Sequence, residues 1–172
     1  MKRSAHFHNS DDKELVEIAA ANLTPLMIDW LVGIFDGVCV GFDGDSIRVE
    51  GEPYEFTGIY SPSTDPSIGH PLLEREKIQA RYIDEPGHPK HGSWLAQDCR
   101  FRSSSMSVEW RQYGHSYPEL ALGYMSGPTM LIASMRFIIA KHYVGKSKTP
   151  MVRVPKQLIK RTRKPRKEST NA

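Results

Sequence analysis

The chain has 172 residues, 39% of them hydrophobic and 25% charged, which suits one globular domain with an ordinary core and leaves little room for a second. No apolar run approaches the roughly 18 residues that a membrane-spanning helix needs, and the start Met1-Lys2-Arg3-Ser4 lacks the apolar stretch of a signal peptide, so a protein of the cytoplasm is expected. Cys39 and Cys99 lack the paired spacing of zinc or redox sites and read as core thiols.

The formal charge of +3 hides an asymmetry. Ten of the 23 Lys and Arg residues follow Gly145, against one acid, Glu168. The remainder holds 13 basic and 19 acidic residues, so a domain of net −6 carries a tail of net +9.

In chain order, residues 1–12 are polar and read as a disordered arm, in which His6, His8, Asp11 and Asp12 are solvated. A single α+β domain is expected over 13–158, and residues 159–172 form a basic tail. Leu15 to Ala20 reads equally as a strand or a helical turn. A helix is predicted over 24–36, with Thr24 as N-cap, Pro25 in its first position and Gly37 beyond its end. Met27, Trp30, Leu31 and Ile34 form its apolar face, and Asp29 and Asp36 fall away from it.

From Val38 to Tyr60 short β-prone runs follow, with Asp43-Gly44-Asp45-Ser46 as a turn. That turn fails the calcium-loop template, which needs a glycine at its sixth position and a closing glutamate. Tyr60 to Pro71 reads as a rigid loop with three prolines. Its Ser61, Ser63, Thr64 and Asp65 are held at low entropic cost, for a ligand or for their own turn. Leu72 to Arg81 is ambiguous between strand and helix, and Glu74 to Lys77 read as a solvated face. His88 and His91 lie in a Pro- and Gly-rich loop over 84–93 with no third metal ligand. Trp94 opens a strand expected to run to Phe101, and another is expected over 106–110.

The clearest helix spans 129–144, capped by Thr129 after Pro128 and closed by Gly145. Leu131, Ile132, Met135, Ile138, Ile139 and His142 form one stripe, which needs a sheet face. Arg136 projects from its shoulder, where it meets either a ligand or a sheet-edge carboxylate. The expected architecture is therefore an antiparallel sheet packed with two main helices, with the chain after Gly145 extended or disordered.

Four blocks in order resemble the NinX-like family of phage and prophage proteins. They are Leu23, Thr24, Asp29, Trp30, Val32 and Gly37; Tyr60 to Asp65 with Gly69, Pro71, Leu72, Glu74 and Arg75; Trp94 and Ala96; and Thr129 with Leu131 to Ala133, Met135 and Arg136, followed by Val152 to Leu158. The resemblance covers roughly residues 15 to 158. Pro66 and Met130 stand where family members commonly have Trp and Pro. More distantly, the element order is similar to phage α-β-α sandwich proteins, some of which sequester nucleotide immune signals of the cyclic ADP-ribose or cyclic oligonucleotide kind.

What the resemblance implies is a phage or prophage accessory protein in the host cytoplasm that binds a small nucleotide without turnover. No nucleophile-base pair, metal spacing or Gly-rich phosphate loop points to an enzyme, a cofactor or a metal. The expected ligand residues are Tyr60 and Trp94 for stacking, Ser61, Ser63, Thr64 and Asp65 for hydroxyls, and Thr129 with Arg136 for phosphate. The alternative is a nucleic-acid-binding protein acting through Lys160, Arg161, Arg163, Lys164, Arg166 and Lys167. A second copy of the chain is a further expected partner, and a membrane is not.

Overall fold

The computed structural model describes residues 14–38, 40–43, 45–49, 58–99, 123–143 and 151–160. The arm over 1–12, Cys39, the strand expected over 106–110, Gly145 and Arg161 to Ala172 lie outside them. Among the described residues the elements run β1 (Leu15–Ala19), a 3-10 turn (Ala20–Asn22), α1 (Pro25–Phe35), β2 (Val40–Asp43), β3 (Ser46–Val49), α2 (Pro66–Glu76), β4 (Ile78–Tyr82), β5 (Trp94–Asp98), β6 (Met125–Gly127), α3 (Met130–Tyr143), β7 (Met151–Pro155) and α4 (Lys156–Lys160).

The domain is α+β and every strand pairing is antiparallel, as expected. The described strands divide into three small sheets: β1-β7, β2-β3 and β4-β5-β6. The predicted helices are present as α1 and α3, and α2 is a third.

The α3 helix is the middle layer, with the β4-β5-β6 sheet on one side and α1 and α2 on the other. The expected one-sided stripe is therefore a correction: Leu131, Ile132, Ala133, Ser134, Met135, Phe137, Ile138, Ile139 and Ala140 are all buried. A helix covered on several sides needs apolar or small residues nearly all round. Only Arg136, Lys141 and His142 break the pattern over Leu131 to His142, and His142, expected in the stripe, is exposed at the helix end.

Close approach explains the small residues. A Cβ at Gly127 would stand 2.6 Å from the backbone nitrogen of Ala133, so the glycine lets β6 lie directly on α3. At Gly69 a Cβ would meet the Pro62 carbonyl oxygen at 2.5 Å, which seats α2 against the preceding loop and Leu131.

Of the chain after Gly145, residues 151–160 are described, and they form strand β7 and the short helix α4. Strand β7 pairs along the whole of β1, Val16 against Val154 and Ile18 against Val152. Val152, Val154 and Leu158 are buried in the same core as α1 and α3. Leu158 is fully buried, so it anchors the root of the basic run. Leu158→Ala is expected to lose about 2 to 5 kcal/mol of stability, measured by urea unfolding. An unchanged midpoint would mean that this segment lies outside the cooperative core.

Candidate functional site

The Arg136 guanidinium is half-buried and binds backbone. Nη1 donates to the Ser126 carbonyl at 2.9 Å and Nη2 to the Leu23 carbonyl at 2.8 Å. These two bonds join β6 and the lead into α1 to the central helix.

The 60–65 loop is fastened to the same end of α1. The Ser63 N–H donates to Asp29 Oδ1 at 2.8 Å, and Ser63 Oγ donates to the Pro25 carbonyl at 3.4 Å. Ser63 is 1% exposed. The Ser61 carbonyl accepts from the backbone nitrogens of Thr64 and Asp65, closing a turn. Asp65 is the N-cap of α2: its carboxylate accepts from Ser67 N at 2.8 Å and Ser67 Oγ at 2.7 Å, and those bonds hold its pKa below the ordinary carboxylate value. Tyr60 is 5% exposed, so its ring packs in the core, where it is no stacking surface. Burial first, then the charges of Asp36 and Asp29, pushes its phenol up.

Thr129 Oγ1 accepts from Ile132 N at 3.2 Å, which makes it the α3 cap. Trp94 is half-buried, opposite Gly127 in the ladder, with its ring edge-on to Tyr82 at 5.6 Å. Arg136, Ser63, Thr129 and Trp94 are therefore linked through the starts of α1 and α3 and through β6. The polar contacts described above are to the protein's own groups, and Thr64 and Thr129 are the exposed members of the expected set.

Sequence reasoning missed two polar features. The first is Asp29, which falls away from the apolar face of α1 and is nevertheless 5% exposed. Its value to the fold is the Ser63 N–H it accepts; its cost is desolvation, which raises its pKa from 3.8 to about 6 against the lowering effect of Ser63. The only signal was a carboxylate inside the apolar run Met27 to Val32.

The second is an ionic cluster where α1, α2 and α3 end. Glu76 Oε2 stands 2.8 Å from His142 Nε2 and 3.5 Å from Lys141 Nζ, and Glu76 Oε1 accepts from Arg75 Nε at 3.3 Å. Lys141 also reaches the buried Asp98 at 3.4 Å, and Arg75 pairs with Asp36. The His142 ring lies 3.9 Å from that of Phe35, and Arg75 sits 5.8 Å from the Phe35 ring centroid. Burial alone would raise the Glu76 pKa, but His142, then Arg75 and Lys141, hold it below the ordinary value. Basic residues in the last turns of α2 (Arg75) and α3 (Lys141) suit the negative ends of the helix dipoles. The carboxylates of Glu76, Asp36 and Asp98 beside them neutralise these cations and can accept from hydroxyls, so the cluster suits bridging helices better than holding phosphate. No spacing in the sequence links Glu76 to His142.

Among the described residues no group of three or more His, Cys, Asp and Glu side chains is placed to hold a metal. No helix there is long and apolar enough to cross a membrane. Comparison with known protein families finds no matching family model, and comparison with curated proteins finds no significant match.

Unfolded Asp29 loses its proton near 3.8 and folded Asp29 near 6. Between these values the folded state holds the extra proton, so this group's contribution to stability falls as pH rises through that window. Asp29→Asn keeps an acceptor for Ser63 and removes the buried charge. The variant is expected to gain roughly 1 to 3 kcal/mol over wild type at about pH 7.5 and little at about pH 4. Urea unfolding at both values checks this; an equal difference at both would place the carboxyl in solvent.

Proposed function

We propose that the protein is a phage or prophage accessory protein that works by binding, and that its ligand is the phosphate backbone of nucleic acid. The supporting observation is where the cations fall. At the root of the tail, Arg153 faces Glu17 and Lys156 faces Glu14 across the β1-β7 ribbon. Lys160, Arg161, Arg163, Lys164, Arg166 and Lys167 then follow within eight positions with no acid among them. The buried Leu158 ties this run to the domain. A linear array of guanidinium and ammonium groups neutralises successive phosphates and releases their counterions, giving affinity without sequence preference. The NinX-like resemblance supports the phage context.

A second reading, sequestration of a small nucleotide signal, is favoured by the Arg75, Phe35 and His142 group. Arg75 keeps 48% of its side chain exposed over the Phe35 ring, which His142 adjoins, and the Asp36 and Glu76 carboxylates paired with it are the acceptors that ribose hydroxyls would need.

Fluorescence anisotropy with a short DNA duplex tests the first reading. The full chain is expected to bind at about 50 mM salt and to lose roughly a thousandfold in affinity by about 200 mM. A chain ended after Lys160 should fold and show no binding. Retention by the shortened chain, or absence of binding by the full one, would overturn the reading. Calorimetric uptake of a cyclic dinucleotide by the shortened chain would favour the second.

A further inference from the structure

Strand β4 is the outer strand of its sheet, and the ladder fixes which of its backbone groups face outward. The Cys99 N–H donates to the Lys77 carbonyl at 2.7 Å, and the Ile83 N–H donates to the Ser93 carbonyl at 2.9 Å. Both pairs continue the register in which Ala80 faces Ala96. In an antiparallel ladder hydrogen-bonded and non-bonded pairs alternate. Residues 77, 79, 81 and 83 therefore point their N–H and C=O groups at β5, and Ile78, Ala80 and Tyr82 point theirs away. Among the described residues nothing pairs with that edge. It carries no proline and no bulge, two of the protections of a free strand edge, and Arg81 is its one charged residue. Tyr82 beside it is 47% exposed.

We propose that this edge is a homodimer interface, in which two copies pair antiparallel through β4 with Ala80 opposite Ala80 of the partner subunit. The strand Ile78-Gln79-Ala80-Arg81-Tyr82 is self-complementary in this register alone. All three outward-facing residues enter hydrogen-bonded pairs: Ala80 with its own copy, and Ile78 with Tyr82 of the partner subunit in both directions. Tyr82 thereby covers a half-buried isoleucine. Gln79 stands opposite Arg81 of the partner subunit in a non-bonded pair, where side chains come closest. A register centred on Arg81 would oppose two guanidinium groups, and one centred on Gln79 would oppose Arg81 to Lys77, both unfavourable. The result is an isologous dimer with one continuous six-stranded sheet. An edge this short makes a small contact, so the dimer is weak and concentration-dependent.

Sedimentation velocity of the full chain across the micromolar range tests the pairing and its register. Gln79 is exposed, so its substitution leaves the monomer intact. Gln79→Glu creates two symmetric ion pairs with Arg81 and is expected to tighten the dimer roughly three- to tenfold, and Gln79→Lys to weaken it by a similar factor. Ala80→Pro removes an outward N–H, which the domain's own ladder does not use, and is expected to abolish the dimer. A chain that stays monomeric throughout, or a dimer that shifts the same way or not at all in the two Gln79 variants, would overturn the proposal.

Discussion

Two hydrogen bonds from one guanidinium hold the two halves of this domain in register. Arg136 reaches Leu23, 113 positions away in sequence, and Ser126, ten positions away. Both acceptors are main-chain carbonyls at points where regular structure begins: one leads into α1, and the other sits in the short strand before α3. A carbonyl at such a junction lacks the helical partner it would have a turn later, and leaving it unsatisfied in the interior costs more than a typical hydrogen bond returns. Arginine suits the task because its planar fork serves two acceptors at once and stays charged when half-buried.

The rest of the structure builds outward from that clamp. With α1 fixed at its start, Ser63 meets Pro25 and Asp29, so the 60–65 loop is set on α1. Asp65 then starts α2, whose Gly69 seats against Leu131 of the central helix. At the far ends of the three helices, Glu76 gathers Arg75, Lys141 and His142. Polar groups fasten both ends of a middle layer whose central turns are apolar, and Arg136, Ser63, Asp65 and Thr129, expected to meet a ligand, bond groups of the protein itself. Charge follows a similar separation. The cations of the β1-β7 ribbon face Glu14 and Glu17, and the dense basic run comes after the last buried anchor.

What the sequence made legible was local. Thr24-Pro25 with Gly37, and Thr129 with its apolar run, each announce a helix through signals a few residues apart. The Asp65-Pro66 pair is the same signal as Thr24-Pro25, but three prolines and a cluster of hydroxyls mask it, so the first half of α2 reads as loop and its second half as either strand or helix. Its Pro71 sits inside the helix, which propensity alone argues against. The nearly all-round burial of α3 was hidden because Ala133, Ser134 and Ala140 look neutral in a periodicity count. They are small because β6 and the neighbouring helices come close. The roles of Arg136, Asp29 and Glu76 were not legible at all, since each depends on a partner tens of residues away. A polar side chain in a sequence says what it can bond, and only the fold says whether a backbone group or a ligand receives the bond.

Equilibrium urea unfolding of Arg136→Ala, with hydrogen exchange on the same variant, tests Arg136 as the clamp. The predicted result is a loss of roughly 2 to 4 kcal/mol, with faster exchange concentrated in the first turn of α1 and in β6. A variant as stable as wild type, with unchanged exchange at both places, would contradict the clamp and return Arg136 to the surface as a ligand group.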